Sequence, residues 1–288
     1  MIKGKTSSID LGKQPFALDQ RHISEPLESL LSAFTDTRVL TGRYLAHLRR
    51  RPAQLAVTVA FPVMILLIFA FLFGGMMQAP GDYRIALVPG MFTMTMLFGL
   101  SATMIAVVTD RQRGITDRFR SLPMSVSAVL AGRAVADLVV SAIALAVLIV
   151  VGVAVGWRAE RGLAAAAAAV GLLLLLRFAL IWVGILFGTR AHNAGAVTAV
   201  QTLEFPLGFL SGLFVDPATM PPVLRQIAEW NPLSSTAAAV RELSGSPGWP
   251  SSSWISEHAV LMAVVWPLVI VAITAPLAVR RYRQGDNA

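Results

Sequence analysis

Three ionisable residues, Asp137, Arg177 and Glu204, stand inside long apolar stretches of the sequence. A charged side chain at mid-bilayer costs about 2.5 to 3.5 kcal/mol on insertion scales, so it usually faces other helices and marks a functional site or a structural pair. Each residue lies about ten positions, or about 15 Å, from the cytosolic end of its stretch. We therefore predict that Arg177 is bridged by Asp137, by Glu204 or by both. The cluster could fix the register of the helices, act in gating, contact a polar substrate, or be reached by water from a cavity.

Catalysis by side chains of this sequence is not expected. The sequence has no cysteine, and its four histidines lie at or outside the ends of the apolar stretches: His22, His47, His192 and His258. An intramembrane Ser–His pair, a histidine metal site and a cysteine nucleophile are therefore not predicted. The phosphate-binding pattern G-x-x-x-x-G-K-[ST] does not occur, so the chain is not expected to hydrolyse ATP by that route. We predict no catalytic residue, no metal site and no enzymatic activity of the chain by itself.

The composition places these charges in a membrane protein. Of the 288 residues, 56% are hydrophobic and 14% are charged, whereas soluble domains carry about 25% charged residues. Disordered chains have the opposite composition, with few apolar residues and many charges. The fold class is therefore predicted to be all-α integral membrane.

Six apolar runs are long enough to cross a bilayer. A hydrocarbon core about 30 Å thick requires about 20 mostly apolar residues in a helix. The predicted spans are residues 53–73, 85–108, 127–155, 162–187, 194–215 and 259–279. Together they form one transmembrane domain, residues 26–285, after a flexible cytosolic N-terminus, residues 1–25.

The fifth run contains residues that interrupt a helix. Pro206 removes an intrahelical hydrogen bond, and Gly208 and Gly212 allow another helix to approach closely. They predict a broken or re-entrant segment, which lipid tolerates only where it lines a cavity or is covered by protein; a simple kink is the alternative. The pathway or its outer gate is therefore predicted near residues 204–214. The candidate residues are Phe205, Pro206, Phe209, Ser211 and Phe214.

The distribution of basic residues predicts the orientation. Cytosolic loops carry an excess of Lys and Arg, and most of the 24 Lys and Arg residues fall on one side if six spans alternate. Both termini are therefore predicted to be cytosolic, in a multi-pass protein of the plasma membrane. The formal charge of +8 is explained by this orientation, and no nucleic-acid partner is predicted.

Three segments outside the predicted spans show helical patterns. Residues 26–51 combine an apolar stripe with basic residues, which predicts an amphipathic helix at the cytosolic interface; a simple basic flank is the alternative. Residues 109–124 carry four arginines and apolar residues about one helical turn apart, which favours docking to a protein partner over a bare turn. On the outer side, residues 216–235 predict two short helices at the interface, with Trp230 in the aromatic belt.

Several of these segments together resemble a known family. The run Leu48-Arg49-Arg50-Arg51-Pro52 precedes the six spans, and the cytosolic loop reads Asp110-Arg-Gln-Arg-Gly114 and then Arg118-Phe-Arg-Ser-Leu-Pro123. The fifth run reads Glu204-Phe-Pro-Leu-Gly-Phe-Leu-Ser-Gly-Leu-Phe214 and is followed by Pro221-Pro222 and Trp230-Asn-Pro-Leu-Ser-Ser235. The order resembles permease subunits of the type-2 ABC exporters, in particular the daunorubicin-resistance permease group of actinobacteria, over roughly residues 35 to 285.

The resemblance implies a role for each segment. Residues 37–51 would be a connecting helix, and Pro206–Phe214 with the outer short helices would form the extracellular gate. Residues 110–123 would be a coupling helix that sits in a cleft of a separate ATP-binding subunit. Its candidate residues are Asp110, Arg113, Gly114, Asp117, Arg118, Phe119 and Pro123.

The resemblance also implies partners and an activity. Two permeases, either two copies or a paralogous pair, would work with two ATPases in the lipid membrane, and ATP and Mg²⁺ would bind to the ATPases, with no cofactor in this chain. The complex would export an amphipathic drug, antibiotic or lipid; the resemblance does not identify which. The alternatives are a proton-coupled secondary transporter that uses Asp137 or Glu204, which predicts inverted repeats that the sequence does not display, and a purely structural membrane subunit.

Overall fold

The computed structural model describes residues 42, 52–73, 83–114, 126–191, 194–250 and 253–284. Within these ranges the chain forms helices joined by turns, and the described residues contain no β-strand. The predicted interfacial helix lies outside the described residues except for Gly42, and so do residues 1–25 and the cytosolic loop after Gly114.

A helix occupies each of the six apolar runs. Helix α1 covers Pro52–Ile68 and continues as a π-helical turn, Phe69–Phe73. The next four are α2 (Tyr83–Gln112), α3 (Val126–Val155), α4 (Leu163–Arg190) and α5 (Ala194–Phe209). After a 3₁₀ turn, Pro217–Thr219, follow α6 (Pro222–Trp230), α7 (Pro232–Ser244), α8 (Trp254–Glu257) and the long α9 (Ala259–Gln284).

Four of these helices, α2, α3, α4 and α9, are long and apolar enough to cross a membrane. The prediction of an all-helical integral membrane protein is therefore confirmed. Helices α1 and α5 are shorter, because α1 passes into the π-helical turn and α5 ends at Phe209, inside the predicted fifth span. Six crossings remain a prediction from the sequence.

Helices α2 and α4 form the centre of the bundle. Two glycines of α4 let the backbones approach: a Cβ atom on Gly184 would lie 2.9 Å from the carbonyl oxygen of Leu100, and one on Gly188 would lie 2.7 Å from Cβ of Val107. Small residues four apart are the usual means by which membrane helices pack closely. This pair therefore fixes the central contact on which the polar side chains of both helices depend.

Helices α3 and α9 lie on the outside of the bundle. Large apolar side chains point away from the protein on both, with Ile143 52% and Val150 68% exposed on α3 and Ile273 56% exposed on α9. In water such surfaces would be unfavourable. In lipid they are the expected contact surface, so these exposed residues agree with a membrane location.

The helix connections gather at two ends of the bundle. At one end, the α3–α4 connection bonds to the end of α7 and the segment after it: Glu160 N donates to Ser244 O, and Trp157 Nε1 donates to Ser246 Oγ, both at 2.9 Å. We call this the predicted outer end. At the opposite, predicted inner end, Asp110 near the end of α2 pairs with Arg133 near the start of α3.

The two short helices after α5 differ in burial. Helix α6 is exposed, with Val223 70% and Trp230 61% accessible, as an interfacial helix should be. Helix α7, however, is largely buried and packs against α2, α4 and α9. Its run from Ser234 to Ala239 consists of small side chains, which permit close packing. The sequence analysis expected both helices at the interface; the structure shows that α7 is covered by the bundle while α6 is exposed, and the membrane level of α7 stays a prediction.

Candidate functional site

A buried guanidinium lies at the centre of the candidate site. Arg177, on α4, is 3% exposed. Its Nε donates a hydrogen bond to Ser141 Oγ of α3 at 2.7 Å, and its Nη2 donates to Thr103 Oγ1 of α2 at 2.8 Å. Nη1 is buried and has no hydrogen-bond partner among the described residues. One arginine thus holds three helices together through two hydroxyl groups.

Asp137 reaches Arg177 through a hydroxyl. Thr103 Oγ1 accepts from the guanidinium, and its single proton is shared between Asp137 Oδ2 at 2.9 Å and Gly99 O of its own helix at 3.1 Å. Ser141 Oγ, which also accepts from Arg177, donates to the backbone carbonyl of Asp137 at 2.8 Å. Within the described part of the chain, the ion pairs with N–O distances up to 4.0 Å do not include Arg177. The link to Asp137 is therefore indirect.

Glu204, on α5, is the third charged member of the cluster. It is 3% exposed, and both of its oxygens accept from one residue of α2: Oε1 from Ser101 N at 2.7 Å and Oε2 from Ser101 Oγ at 3.0 Å. Its carboxylate also interacts electrostatically with Arg177. The structure thus brings together the three charges that the sequence placed at one depth, and adds three hydroxyl residues that the sequence analysis missed: Ser101, Thr103 and Ser141.

The cluster borders a cavity of about 540 Å³ between α1, α2, α3 and α5. Three aromatic rings form one part of its wall, with centroids separated by 5.4 Å for Phe61–Phe98, 6.3 Å for Phe61–Phe205 and 5.0 Å for Phe98–Phe205. The polar part includes Ser101, Ser141, Gln201 and Glu204. A cavity of this size, mostly apolar with a few polar groups, is typical of small-molecule sites.

The candidate gate residues fall into two aromatic groups. Phe205 belongs to the cavity wall, while Phe209 and Phe214 pack with Phe69 of the π-helical turn at centroid distances of 5.2 to 6.2 Å. Pro206 lies between the groups inside α5, which ends at Phe209. Ser211 Oγ is buried and donates to its own segment, at Gly208 O. Ser211 therefore stabilises the turn and does not line the cavity.

A second buried arginine, Arg241 of α7, organises the predicted outer end. It is 2% exposed and donates to the carbonyl oxygens of Ala86 and Gly212, each at 3.0 Å, and to that of Leu213. The ring of Trp249 lies 5.0 Å from its Cζ. In the sequence, Arg241 falls between the fifth and sixth predicted spans, on the predicted outer side. No local pattern could have identified these contacts, because the acceptors are carbonyls at least 28 positions away.

The start of the predicted coupling helix is tied to two neighbouring helices. Asp110 pairs with Arg133 of α3. Arg111 Nη1 donates to the carbonyls of Thr189, in the last turn of α4, and of Ala191, just after it, at 3.3 and 3.4 Å. Arg113 N donates to Thr109 O, and Gly114, with a φ of 65°, takes the left-handed conformation that ends a helix. The other coupling candidates, Asp117, Arg118, Phe119 and Pro123, lie outside the described residues.

The helices and the site define a class: a multi-pass helical membrane protein with a buried polar cluster beside an amphipathic cavity, which is an arrangement typical of transporters. Residues 35–243 match the family model of the ABC-2 type transporter, and the chain belongs to this family. It is 32% identical over 258 residues, 88% of both chains, to the daunorubicin resistance ABC transporter permease protein DrrB1 of Streptomyces coeruleorubidus. The predicted family is thus confirmed, and the chain is a membrane permease of the ABC transporter class.

Proposed function

We propose that this permease exports an amphipathic compound across the plasma membrane, driven by ATP hydrolysis on a separate ATP-binding subunit that carries the Mg²⁺. The observation that carries the proposal is the cavity at Glu204, because its aromatic wall suits an apolar body and its carboxylate and hydroxyls suit a polar group. The relative in Streptomyces coeruleorubidus is named for resistance to daunorubicin, which favours export. The compound carried by this chain is left open by these features.

The predicted inner end is the proposed docking site for the ATP-binding subunit. The coupling residues would be Asp110, Arg113, Gly114, Asp117, Arg118, Phe119 and Pro123. Two contacts of the described residues support transmission of movement from this segment: the Asp110–Arg133 pair links it to α3, and Arg111 links it to the end of α4. Displacement of the segment would therefore move two helices that also carry the charge cluster.

The proposed assembly contains two permeases, either two copies or two related chains. Support comes from the second half of α5, where Leu203, Phe205, Leu207 and Phe209 are 40 to 55% exposed, on more than one side of the helix. Phe205 also lines the cavity, so a second permease packed on α5 would cover these residues and complete the pathway. Both termini would face the cytosol, as the distribution of basic residues predicts.

Transport and partner binding test the proposal together. The tagged chain is purified from its native membranes, and any co-purifying protein with a phosphate-binding loop is identified. The complex is then placed in inside-out vesicles, where an amphipathic fluorescent dye should accumulate only when MgATP is added. The triple variant Arg113→Ala, Arg118→Ala, Phe119→Ala should lose the partner and the transport. The double variant Arg280→Ala, Arg281→Ala, at the inner end of α9, should retain both.

The same vesicles distinguish the secondary-transport alternative. Uptake that runs on a pH gradient without ATP, with no nucleotide-binding protein in the preparation, would overturn the proposal in favour of proton coupling at Asp137 or Glu204. Uptake that requires ATP but is unchanged in the triple variant would refute only the assignment of the coupling segment.

A further inference from the structure

A second cavity, of about 360 Å³, lies at the predicted outer end and has no role in the function proposed above. Its wall is formed by the end of the fifth segment at Gly212, by α7, by the loop from Ser246 to Pro250 and by α8. Ala259, the first residue of the long apolar helix α9, also lines it. The cavity therefore lies at the level where the hydrocarbon region begins. Trp230 and Trp254, 61% and 58% exposed nearby in α6 and α8, suit the same interfacial level.

Carboxylates outnumber cations in the wall of this cavity. Three glutamates line it, Glu229, Glu242 and Glu257, against one arginine, Arg241. Glu229 is paired with Arg225 at 3.0 Å, and the guanidinium of Arg241 donates to three backbone carbonyls. Among the described residues, Glu242 and Glu257 have no ion pair within 4.0 Å. Their excess negative charge favours a cationic ligand.

An unpartnered hydroxyl gives independent evidence for a ligand. Ser235 lines the cavity and is 3% exposed, and its Oγ has no hydrogen-bond partner among the described residues. A buried polar group left without a partner is unfavourable, so a ligand that bonds to it is favoured. A primary ammonium group carries three N–H donors and a positive charge, whereas a quaternary ammonium carries the charge alone. Within the described residues, no group of three or more His, Asp or Glu is placed to hold a metal ion.

We propose that this cavity binds a primary ammonium group, with Glu242 and Glu257 as counter-ions and Ser235 Oγ as a hydrogen-bond acceptor. The ammonium can belong to the headgroup of an outer-leaflet phosphatidylethanolamine or to a free amphipathic amine, since both present the same group at the membrane boundary. The proposal rests on the orientation given under the proposed function, but it does not require ATP-driven export.

Two binding measurements on the intact chain separate the two sources. In the lipid arm, the protein is reconstituted in vesicles that contain equal amounts of phosphatidylethanolamine and phosphatidylcholine and is then extracted in mild detergent. Native mass spectrometry counts the retained molecules of each lipid. The amine arm measures binding of hexylammonium and hexyltrimethylammonium by calorimetry. The primary amine should be preferred by about tenfold or more in at least one arm, and a tenfold ratio corresponds to about 1.4 kcal/mol.

The variants identify the groups responsible. The double variant Glu242→Gln, Glu257→Gln and the single variant Ser235→Ala should each abolish the preference. Glu160→Gln, an exposed glutamate at the same end outside the cavity wall, should retain it. Both glutamates of the double variant are exposed, so that variant should keep the thermal unfolding transition of the native protein. If Ser235→Ala does not fold, the double variant alone decides.

The results of the two arms and of the variants distinguish a headgroup site, a free-amine site and no ammonium site. A preference in the lipid arm that the double variant loses supports a headgroup site, and the same pattern confined to the amine arm supports a free-amine site. Equal binding of primary and quaternary groups by the native protein in both arms overturns the proposal. A preference that survives in the double variant overturns it as well. Because neither arm uses ATP or a partner subunit, failure here is distinct from failure of the exporter proposal.

Discussion

Replacement of Thr103 by valine should destabilise the bundle far more than the loss of one hydroxyl suggests. Valine keeps the shape of threonine, but it removes the oxygen that accepts from Arg177 at 2.8 Å and donates to Asp137 at 2.9 Å. Hydrogen bonds to charged groups contribute about 1.5–3 kcal/mol each. Two are lost, and interhelical hydrogen bonds in a membrane protein reach about 1.7 kcal/mol at most, so we expect the free energy of unfolding to fall by about 3 kcal/mol, measured by unfolding of the purified protein in micelles with increasing denaturing detergent.

Helix α2 offers a matched control for this change. Thr93 is fully buried, and its hydroxyl donates only to Pro89 O, one turn earlier in the same helix, at 3.0 Å. Hydrogen bonds in membrane proteins are worth about 0.6 kcal/mol on average, so Thr93→Val should cost about 1 kcal/mol or less. If the two valine variants unfold at the same detergent concentration, Thr103 does not mediate the interaction between Arg177 and Asp137, and our account of the cluster is refuted.

Three further predictions concern the other buried charges. Arg241→Met should lower the free energy of unfolding by about 3–5 kcal/mol in the same assay, because three buried carbonyl oxygens lose their donor. Glu204→Gln should slow the ATP-dependent uptake of a cationic dye by about tenfold or more and leave uptake of a neutral dye of similar size within about twofold, because only the cation needs the carboxylate in the cavity wall. Arg133→Gln should leave co-purification of the ATP-binding subunit intact and reduce dye transport per ATP hydrolysed, because Asp110 at the start of the coupling helix would lose its ion pair to α3.

Each of these changes has a result that would contradict it. Arg225 is about a third exposed and pairs with Glu229 one turn along α6, so Arg225→Met should cost less than about 1 kcal/mol. An equal loss in both arginine variants would remove the special role of Arg241. A parallel fall in uptake of both dyes would show that Glu204 supports structure or gating and does not select cations. Loss of the subunit from the Arg133 variant would mean that the pair builds the docking site itself.

The bundle was largely predictable because a membrane simplifies the physics. Long apolar runs must become helices in lipid, since no water is present to satisfy exposed backbone groups. The four runs that correspond to α2, α3, α4 and α9 could therefore be assigned from hydropathy alone. Hydropathy failed for α7, whose stretch is neither long nor strongly apolar. Its burial depends on small side chains and on the acceptors that the fold provides for Arg241.

The charged residues of the candidate site were predictable from the sequence, but the hydroxyl residues that link them were not. Charged residues in apolar runs are conspicuous, and comparable depths suggested that Asp137, Arg177 and Glu204 meet. Serine and threonine are common in membrane helices and usually bond to their own backbone, as Thr93 does. A sequence therefore does not reveal which of them, like Thr103, faces a charge on another helix. That choice depends on the rotation of each helix about its axis; for α2 and α4 the close contact at Gly184 and Gly188 constrains this rotation.

A periodic pattern of polar residues in α3 nevertheless connects the coupling helix with the cavity. Arg133, Asp137 and Ser141 are four residues apart, so they lie on one face of the helix over about 12 Å. Each makes a different polar contact: Arg133 with Asp110 at the start of the coupling helix, Asp137 with Thr103, and Ser141 with Arg177. Ser141 also lines the cavity. Movement of the coupling helix would therefore be transmitted to the cavity along this face, through these charged and hydroxyl contacts. This is why Arg133→Gln tests coupling, while Thr103→Val, on α2 opposite Asp137 at the middle of this face, tests stability.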